Sequence, residues 1–473
     1  MKINFSKLGV LEQGSLEFAD LTIICGENNT GKTYITYLVY CLLKTWKQLI
    51  NIDIRTEIKQ LIEQGSIDID LDEKIVKNWN KLSSQTVERF HENFPDMLAA
   101  SGLLFENLKL DVELNLDLSW HQKEFKKEIR SGGGILLLSM QKDENSTILK
   151  LAAPKQENSK SISLSSLDDF IEEELFKIVL GDTIPDVFIA STERTGATTF
   201  RKQLNLATSN LVDLLSQVQK DGEKSLTPHK LINAVYGSKD YAQPVKDNVI
   251  FINQLPDNSS KLSSLLEQYP KLLESFESIV GGKYSTNKEG VTIFQPKGTS
   301  LKLGLGEVSS SVRSLLIVWY WLRYYAKESN MLIVDEPELN LHPSNQRRFA
   351  RFLADLVNYG VKVFITTHSD YIIKEFNTLI MLNNLNDEQF STFNKKYKDY
   401  NRENKLDTSK IALYMTREEL IKLPEFSSRV KRKILKRAEI NSSFGIEAIS
   451  FDETINEMNA IQDTIYYEIE DDK

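Results

Sequence analysis

The chain has 473 residues, of which 41% are hydrophobic and 26% charged, and its formal net charge is −9. This length and composition suit a globular protein of two or three lobes and exclude a disordered or fibrous chain. The negative net charge argues against a protein that binds nucleic acid through its overall charge, although a local basic patch is compatible with it. The sequence shows neither a signal-peptide pattern nor the run of about 20 apolar residues that a membrane span needs. The two cysteines, Cys25 and Cys41, supply no disulfide framework or metal cluster, so we expect a cytoplasmic protein.

The first predicted elements are three short strands that lead to a glycine-rich loop. The first two contain residues 5–11 and 16–18, and a turn is predicted between them over residues 12–15. The third strand, residues 21–25, is an unbroken apolar run.

The loop after the third strand is Gly26-Glu27-Asn28-Asn29-Thr30-Gly31-Lys32-Thr33, which matches the G-x-x-x-x-G-K-[ST] pattern of a P-loop. A helical pattern follows over residues 34–50. In this setting the loop N–H groups and the helix N-terminus are expected to hold phosphates. Lys32 is expected to reach the β and γ phosphates, and the Thr33 hydroxyl to hold Mg²⁺. The motif therefore predicts an ATP site, with a chance glycine turn as the alternative.

The middle of the chain changes from a helical pattern to a strand pattern. Apolar side chains recur at helical spacing over residues 34–100, whereas residues 108–118 alternate between apolar and polar, as in a half-buried strand. Further strands are predicted at residues 135–138 and 147–151. We expect a small antiparallel sheet over residues 103–165.

A largely helical insertion is predicted over residues 166–300. The helical content between residues 34 and 280 forms either a compact lobe or a short coiled arm. Within it a buried strand, residues 187–190, ends at Ser191-Thr192-Glu193-Arg194-Thr195-Gly196. Polar residues past the carboxyl end of such a strand often face a ligand crevice, and a surface turn is an equal alternative. Short strands are predicted near residues 283–285 and 291–294.

Four apolar residues lead into two acids at Met331-Leu332-Ile333-Val334-Asp335-Glu336-Pro337, the pattern of a Walker B strand. Asp335 is expected to bind Mg²⁺, and Glu336 to polarise the water that attacks the γ-phosphate. Two adjacent buried acids would be costly as purely structural residues without a cation. A second apolar run, residues 361–367, leads to His368 about thirty residues after these acids, which favours a γ-phosphate contact over a structural role.

This order of motifs resembles ABC-type ATPases, and within them the branch of SMC and OLD-like proteins. The branch carries D-E-P-E-x-x-L-H-P and T-H-S, which here are Asp335–Pro343 and Thr367-His368-Ser369. The resemblance covers residues 1–40 and roughly 300–385. It implies that His368 is the switch histidine, that Asn340-Leu341-His342 lies in the D-loop, and that two subunits clamp two ATP molecules between them.

The same resemblance places the family's signature segment at Val308-Ser309-Ser310-Ser311-Val312, ahead of a predicted helix. Ser309 matches the signature serine, whereas Ser310 and Ser311 replace the two glycines. In the family this segment of one subunit caps the γ-phosphate bound to the other, and weaker or slower closure is expected here. A simple helix N-cap is the alternative, and the two roles are compatible.

The last hundred residues are matched poorly by this resemblance. Six basic residues fall between positions 429 and 437, and they form either a solvated helix face or a patch for nucleic acid or an acidic partner. They are Arg429, Lys431, Arg432, Lys433, Lys436 and Arg437. Neither the acidic spacing of an OLD-type nuclease nor a histidine after His368 is present, so no nuclease centre is expected. Gln254 and the Glu193-Arg194 tip are the candidates for the family's Q-loop residue.

These features predict an α/β fold, an ABC-type P-loop ATPase head with a small antiparallel β lobe and a largely helical insertion. The predicted segments are 1–50 (first half of the head), 51–102 (helical), 103–165 (β lobe), 166–300 (helical insertion), 301–385 (second half of the head) and 386–473 (α/β or helical extension).

By resemblance, the stand-alone head looks like the ATPase subunits of PARIS-type or Septu-type anti-phage defence systems, which pair with a separately encoded effector. We expect a homodimer or higher homo-oligomer that binds ATP and Mg²⁺, hydrolyses ATP and controls a nuclease or toxin. The alternative is an SMC or recombination-type ATPase that clamps DNA, which predicts ATP-dependent and salt-sensitive DNA binding. No membrane partner is expected.

Overall fold

The computed structural model describes residues 1–130, 134–153, 164–181, 183–200, 241–255, 260–287, 291–423, 426, 428–443, 445–446 and 457–466. These residues form two compact units. The first contains Met1–Asn4, Cys41–Pro95 and Leu110–Asp186, and the second Phe5–Tyr40, Asp96–Lys109 and Val187–Lys473. No helix within the described ranges combines the length and hydropathy that crossing a membrane requires.

Strands and helices are numbered along the chain. The strands are β1 (Lys2–Leu8), β2 (Leu11–Glu17), β3 (Leu21–Gly26), β4 (Ser66–Asp70), β5 (Lys109–Glu113), β6 (Phe125–Arg130), β7 (Leu136–Lys142), β8 (Ile148–Ala152), β9 (Val187–Ala190), β10 (Gly282–Thr286), β11 (Thr292–Pro296), β12 (Leu303–Gly304), β13 (Met331–Asp335), β14 (Lys362–Thr367), β15 (Ile411–Ile421), β16 (Val430–Ala438), β17 (Ile440–Asn441) and β18 (Gly445–Ile446). The α-helices are α1 (Lys32–Leu49), α2 (Arg55–Gln64), α3 (Trp79–Met97), α4 (Leu164–Leu180), α5 (Arg194–Thr199), α6 (Gln243–Asn253), α7 (Ser264–Gln268), α8 (Lys271–Val280), α9 (Ser310–Tyr324), α10 (Pro343–Asn358), α11 (Asp370–Met381) and α12 (Asp387–Lys396).

The first unit contains an antiparallel sheet in the order β4-β8-β7-β6. Strands β7 and β8 bury alternate apolar side chains, among them Met140 and Leu151, as strands with one covered face do. The predicted antiparallel sheet is therefore present. Its edge strand β4 comes from a segment that was predicted to be helical.

The long strand predicted over residues 108–118 is wrong in its second half. β5 ends at Glu113, and a 3-10 helix begins at Leu118. The backbone N–H of Ser119 donates to the Asp117 carboxylate at 2.8 Å, and the Trp79 indole donates to the Leu114 carbonyl at 2.7 Å. These bonds satisfy the polar groups of this stretch outside a strand ladder.

The second unit contains the main sheet, in which β1, β2, β16, β15, β3, β14, β13 and β9 lie in this order. Strands β15, β3, β14, β13 and β9 run parallel, so their carboxyl ends meet at one edge. Large aromatic side chains of α9 and α10, among them Trp319 and Phe352, share one buried cluster with Leu332 and Ile365 of the central strands. The predicted α/β fold is confirmed by this large sheet and the helices packed on it.

The turn predicted over residues 12–15 is wrong, because β2 runs through it. The chain turns instead at Gly9, whose φ is 57°. A Cβ at Gly14 would lie 2.4 Å from the Phe5 ring and 2.7 Å from Leu435 Cβ. This glycine allows close packing inside the sheet.

The basic segment, residues 429–437, is not a helix. Most of it is strand β16, which pairs with β15 and β2 and buries Ile434 and Leu435. Basic side chains of β16 lie against acids, which stabilises neighbouring strands. The pairs are Lys431–Glu418 (2.6 Å), Arg432–Glu12 (3.5 Å), Lys436–Glu419 (3.0 Å) and Arg437–Glu17 (2.9 Å).

Strands β15 and β16 therefore belong to the main sheet, and β17 and β18 form a separate two-stranded sheet. The six-part division of the chain stays a prediction. Within the predicted helical insertion, α4 and α6 to α8 are helices, and β10 and β11 match the two short strands predicted there. Residues 201–240 of that insertion lie outside the described residues.

Candidate functional site

The P-loop lies between β3 and α1, as the sequence predicts. Three of its residues have a positive φ: Gly26 (150°), Asn29 (62°) and Gly31 (102°). A Cβ at Gly31 would lie 2.8 Å from Leu11 Cγ, so this position requires glycine for space as well as for conformation. No acidic residue lies in the first turn of α1, whose N-terminus favours an anion.

Lys32 is buried at the start of α1. Its Nζ donates to the carbonyl oxygens of Gly26 and Glu27, both at 2.8 Å. Burial lowers the pKa of Lys32, and the nearby carboxylates of Glu336 and Asp335 oppose that shift. The ammonium group is therefore held between the loop and the Walker B acids.

A cavity of about 750 Å³ opens beside the P-loop, within the usual range for small-molecule sites. Seven residues predicted to act on ATP line it: Asn28, Asn29, Gly31, Lys32, Thr33, Glu336 and His368. Aromatic and apolar side chains, including Tyr34, Tyr37 and Leu104, line it as well. The structure thus brings the P-loop, the Walker B acid and the histidine to one cavity, with Thr30 buried beside them.

Asp335 is fully buried at the end of β13. Thr366 donates a hydrogen bond to its Oδ1, whereas its Oδ2 has no hydrogen-bond partner. Burial raises the pKa of Asp335 to about 7, so its ionised form needs a nearby cation. An unpaired carboxylate oxygen and the exposed Thr33 hydroxyl fit a Mg²⁺ ion that completes its shell with phosphate oxygens and waters.

Glu336 has an unusual backbone conformation for a residue with a side chain. Its φ is 52°, in the left-handed region, and its N–H donates to the Thr366 carbonyl at 3.2 Å. Such a conformation costs on the order of 1–3 kcal/mol and persists only where its surroundings hold it.

Arg194 is buried and bonds the backbone of this strained turn. Its guanidinium donates to the carbonyls of Asp335 (2.7 Å), Glu336 (2.8 Å) and Ser191 (2.8 Å). Burial lowers the pKa of Arg194 to about 10, so it stays charged at neutral pH. The carboxylate of Glu193, the residue before Arg194, accepts a hydrogen bond from the Tyr37 hydroxyl of α1 at 3.0 Å. The Glu193-Arg194 tip therefore joins α1 to the Walker B turn and is not a plain surface turn.

Glu338 is a site residue that the sequence reasoning missed. Its Oε1 accepts from the His368 N–H (2.7 Å) and the Thr367 hydroxyl (2.9 Å) and lies 3.2 Å from His368 Nδ1. Burial raises the pKa of Glu338, and the bond from the His368 N–H opposes the rise. His368 Nδ1 also lies 3.6 Å from Glu336 Oε1. The available signal was the third acid of D-E-P-E, two residues after Glu336.

The signature serines are not at this cavity. Ser309 and Ser310 are exposed, and none of the three serines is among the residues that line it. Ser309 caps α9, because its side chain accepts from the Val312 N–H at 3.4 Å and contacts the Ser311 hydroxyl at 2.8 Å. The N-cap role is therefore present. Gln254 is exposed just after α6 and does not line the cavity either.

Known proteins and protein structures resemble this chain to different degrees. An uncharacterized protein of Methanocaldococcus jannaschii, MJ1542, is 30% identical over 120 residues. This match covers 24% of the chain, and the chain spans about 14% of the relative's length. The SMC head domain from Thermotoga maritima is similar at a TM-score of 0.30 and 10% identity, over 93% of this chain and 98% of that structure. The Smc head bound to the C-terminal domain of ScpA, from Pyrococcus furiosus, is similar at a TM-score of 0.32 and 10% identity, over 98% of both chains.

A family model described as the AAA ATPase domain matches residues 2–373. This range contains the P-loop, the Walker B acids and His368. The chain belongs to the AAA ATPase domain family.

Proposed function

We propose that this chain is the sensor or regulatory ATPase of a cytoplasmic, prokaryotic anti-phage defence system. Its heads dimerise around ATP and control a separately encoded effector, a nuclease or toxin. The dimer is supported by one observation: Lys32, Glu336 and His368 line a single cavity, whereas the serines 309–311 that resemble the γ-phosphate cap lie elsewhere. A second copy is then needed to supply them. The defence setting is supported by the D-E-P-E-x-x-L-H-P and T-H-S resemblance.

Each residue at the cavity has a distinct task in this proposal. The P-loop N–H groups and Lys32 bind the phosphates, and Glu336 orients and polarises the attacking water. His368, whose side chain is 42% exposed and close to both Glu336 and Glu338, contacts the γ-phosphate. Mg²⁺, when bound by Thr33 and Asp335, neutralises phosphate charge.

A mixing experiment tests the shared site. Lys32→Ala removes nucleotide binding from one partner, and Ser309→Arg blocks the cap of the other, so each variant alone is expected to be inactive. In a mixed two-fold dimer, one of the two sites combines an intact Lys32 with an intact Ser309. Random pairing of equal amounts is therefore expected to restore about a quarter of the wild-type ATPase rate.

Three results would contradict the proposal. The shared site would be excluded if the Ser309→Arg variant hydrolysed ATP at the wild-type rate. It would also be excluded if the mixture recovered no activity although both variants stay folded. ATP-dependent degradation of DNA or RNA by the purified chain alone would exclude a separate effector.

A pull-down from the native host then separates the two proposed function classes, the defence switch and the DNA clamp. An effector protein that Glu336→Gln holds and Lys32→Ala releases supports the defence switch, and DNA enriched on Glu336→Gln supports the DNA clamp.

Arg194 provides a further prediction about catalysis. Replacing it by Met removes two charged hydrogen bonds from the turn that orients Glu336, and a third to the Ser191 carbonyl. We expect kcat to fall by about 10- to 100-fold, because small displacements of a catalytic group cost this much. The affinity for ATP should change less than about threefold, since Arg194 does not line the cavity. Stopped-time ATPase assays and nucleotide titrations measure the two quantities.

Controls separate positioning from folding. Thr199→Ala alters an exposed residue on the same helix and should leave kcat unchanged. Arg194→Lys keeps a donor and should recover part of the lost rate. Equal losses of ATP affinity and kcat in Arg194→Met would show that Arg194 has a general structural role instead.

A further inference from the structure

The hairpin of β15 and β16 lies outside the family match, which ends at residue 373, yet it contacts the P-loop in two places. We propose that this hairpin is part of the nucleotide site and that Thr416 and Lys433 are positioning residues for the P-loop backbone. The proposal rests on nucleotide binding at the P-loop and not on head dimerisation or on any effector.

The first contact is made by Thr416 of β15. β15 is parallel to β3 with Thr416 in register with Gly26, where the strand becomes the P-loop. The buried Thr416 hydroxyl donates to the Thr30 hydroxyl at 2.5 Å, and it also lies 3.3 Å from the Cys25 carbonyl oxygen. Thr30 in turn donates to the Glu27 carbonyl at 2.7 Å. This chain of bonds runs from the C-terminal hairpin into the middle of the loop.

The close packing around Gly26 shows that the P-loop and the β15–β16 hairpin are complementary in shape. A Cβ at Gly26 would lie 2.1 Å from the Thr416 hydroxyl and 2.6 Å from its carbonyl oxygen. The backbone of β15 therefore sets the space in which the first residue of the P-loop turns, at a φ of 150° that favours glycine.

The second contact is made by Lys433 of β16. Its Nζ donates to the Asn29 carbonyl at 2.9 Å, at the residue with a φ of 62°. In a trans peptide the C=O and the following N–H point in opposite directions. A bond to the Asn29 carbonyl thus turns the N–H of Thr30 away from Lys433, and N–H groups of this loop are the ones that bind phosphates. Lys433 holds a strained peptide in an orientation suited to phosphate binding.

Lys433 differs in this from the neighbouring basic residues of β16. Lys431 and Lys436 lie against Glu418 and Glu419, at 2.6 and 3.0 Å. The Lys433 ammonium instead bonds a loop carbonyl, so it acts on the P-loop backbone and not on a carboxylate of a neighbouring strand. For this residue the structure favours a role in nucleotide binding over the predicted nucleic-acid patch.

Titration of the full-length chain with a fluorescent ATP analogue tests the proposal, together with KM and kcat for ATP. Lys433→Met is expected to weaken binding and raise KM by about tenfold, the usual effect of losing one charged hydrogen bond. At saturating ATP, kcat should stay within about twofold, because neither Glu336 nor Asp335 is touched. Thr416→Val should act in the same direction, and Lys433→Arg and Thr416→Ser should restore most of the affinity.

Lys436→Met is the matched control, since it removes one charge from the same strand without touching the loop. ATP affinity that is unchanged in Lys433→Met, or reduced equally in Lys436→Met, overturns the proposal. Unchanged ATP affinity with lost binding of a labelled oligonucleotide also overturns it and makes β16 a nucleic-acid strand. The affinity comparison needs neither hydrolysis nor an effector, so it holds even if the proposed defence role fails.

Discussion

Glu336→Gln is expected to lower kcat by about 10² to 10³-fold while ATP still binds with an affinity within about threefold of wild type. The amide keeps the size of the carboxylate, so the left-handed turn at residue 336 and its bonds to Arg194 and Thr366 remain. It cannot take up a proton from the attacking water at neutral pH. The rate is measured by phosphate release and the affinity by equilibrium titration.

The same variant should accumulate the ATP-bound dimer, because hydrolysis is the step that reopens it in our proposal. Light scattering after size-exclusion chromatography, with and without ATP and Mg²⁺, measures this directly. Glu328→Gln, an exposed acid just before β13, is the matched control and should hydrolyse ATP normally. Wild-type hydrolysis by Glu336→Gln would show that another group, with His368 and Glu338 as the nearest candidates, activates the water.

The sequence predicts the central part of this site because local pattern and local structure agree there. A glycine loop between an apolar strand and a helix, and two acids after a second apolar strand, each need only neighbouring residues to be recognised. Parallel strand order then brings Lys32, Glu336 and His368 to one edge of the sheet. The sequence alone is enough to place these residues together.

The contacts that support the site could not be predicted in this way, since they join residues far apart in the chain. Thr416 reaches Thr30 across 386 positions, and Arg194 reaches Glu336 across 142. The helix face predicted as one alternative for the basic segment is wrong because its charges hide the alternation of β16, whose acidic partners lie on other strands. Gly14 was misread as a turn residue because only the packed sheet shows Phe5 and Leu435 above it.

Lys32→Ala is expected to weaken ATP binding by at least about 100-fold, equivalent to roughly 2.7 kcal/mol. Phosphate oxygens lose a charged donor in a buried setting, where such bonds are strongest. The substitution also removes a cation near Glu336 and Asp335 and leaves Arg194 as the cation close to Asp335, so the site becomes more negative as well as less able to bind an anion. Titration with a fluorescent ATP analogue measures the loss.

Folding must be separated from binding in this variant, because Lys32 Nζ also bonds the carbonyls of Gly26 and Glu27. Thermal unfolding followed by circular dichroism gives that measure, and Lys44→Ala, at an exposed position of α1, should bind ATP as wild type does. A folded Lys32→Ala protein with an affinity within threefold of wild type would mean that the cavity beside the P-loop is not the ATP site. If the affinity falls as expected, residual weak binding should depend on Lys433, whose ammonium is the next cation bonded to the loop. The double variant Lys32→Ala, Lys433→Met should then bind ATP more weakly than Lys32→Ala alone. A further loss of affinity in the double variant would show that the C-terminal hairpin contributes to nucleotide binding, which neither single variant shows by itself.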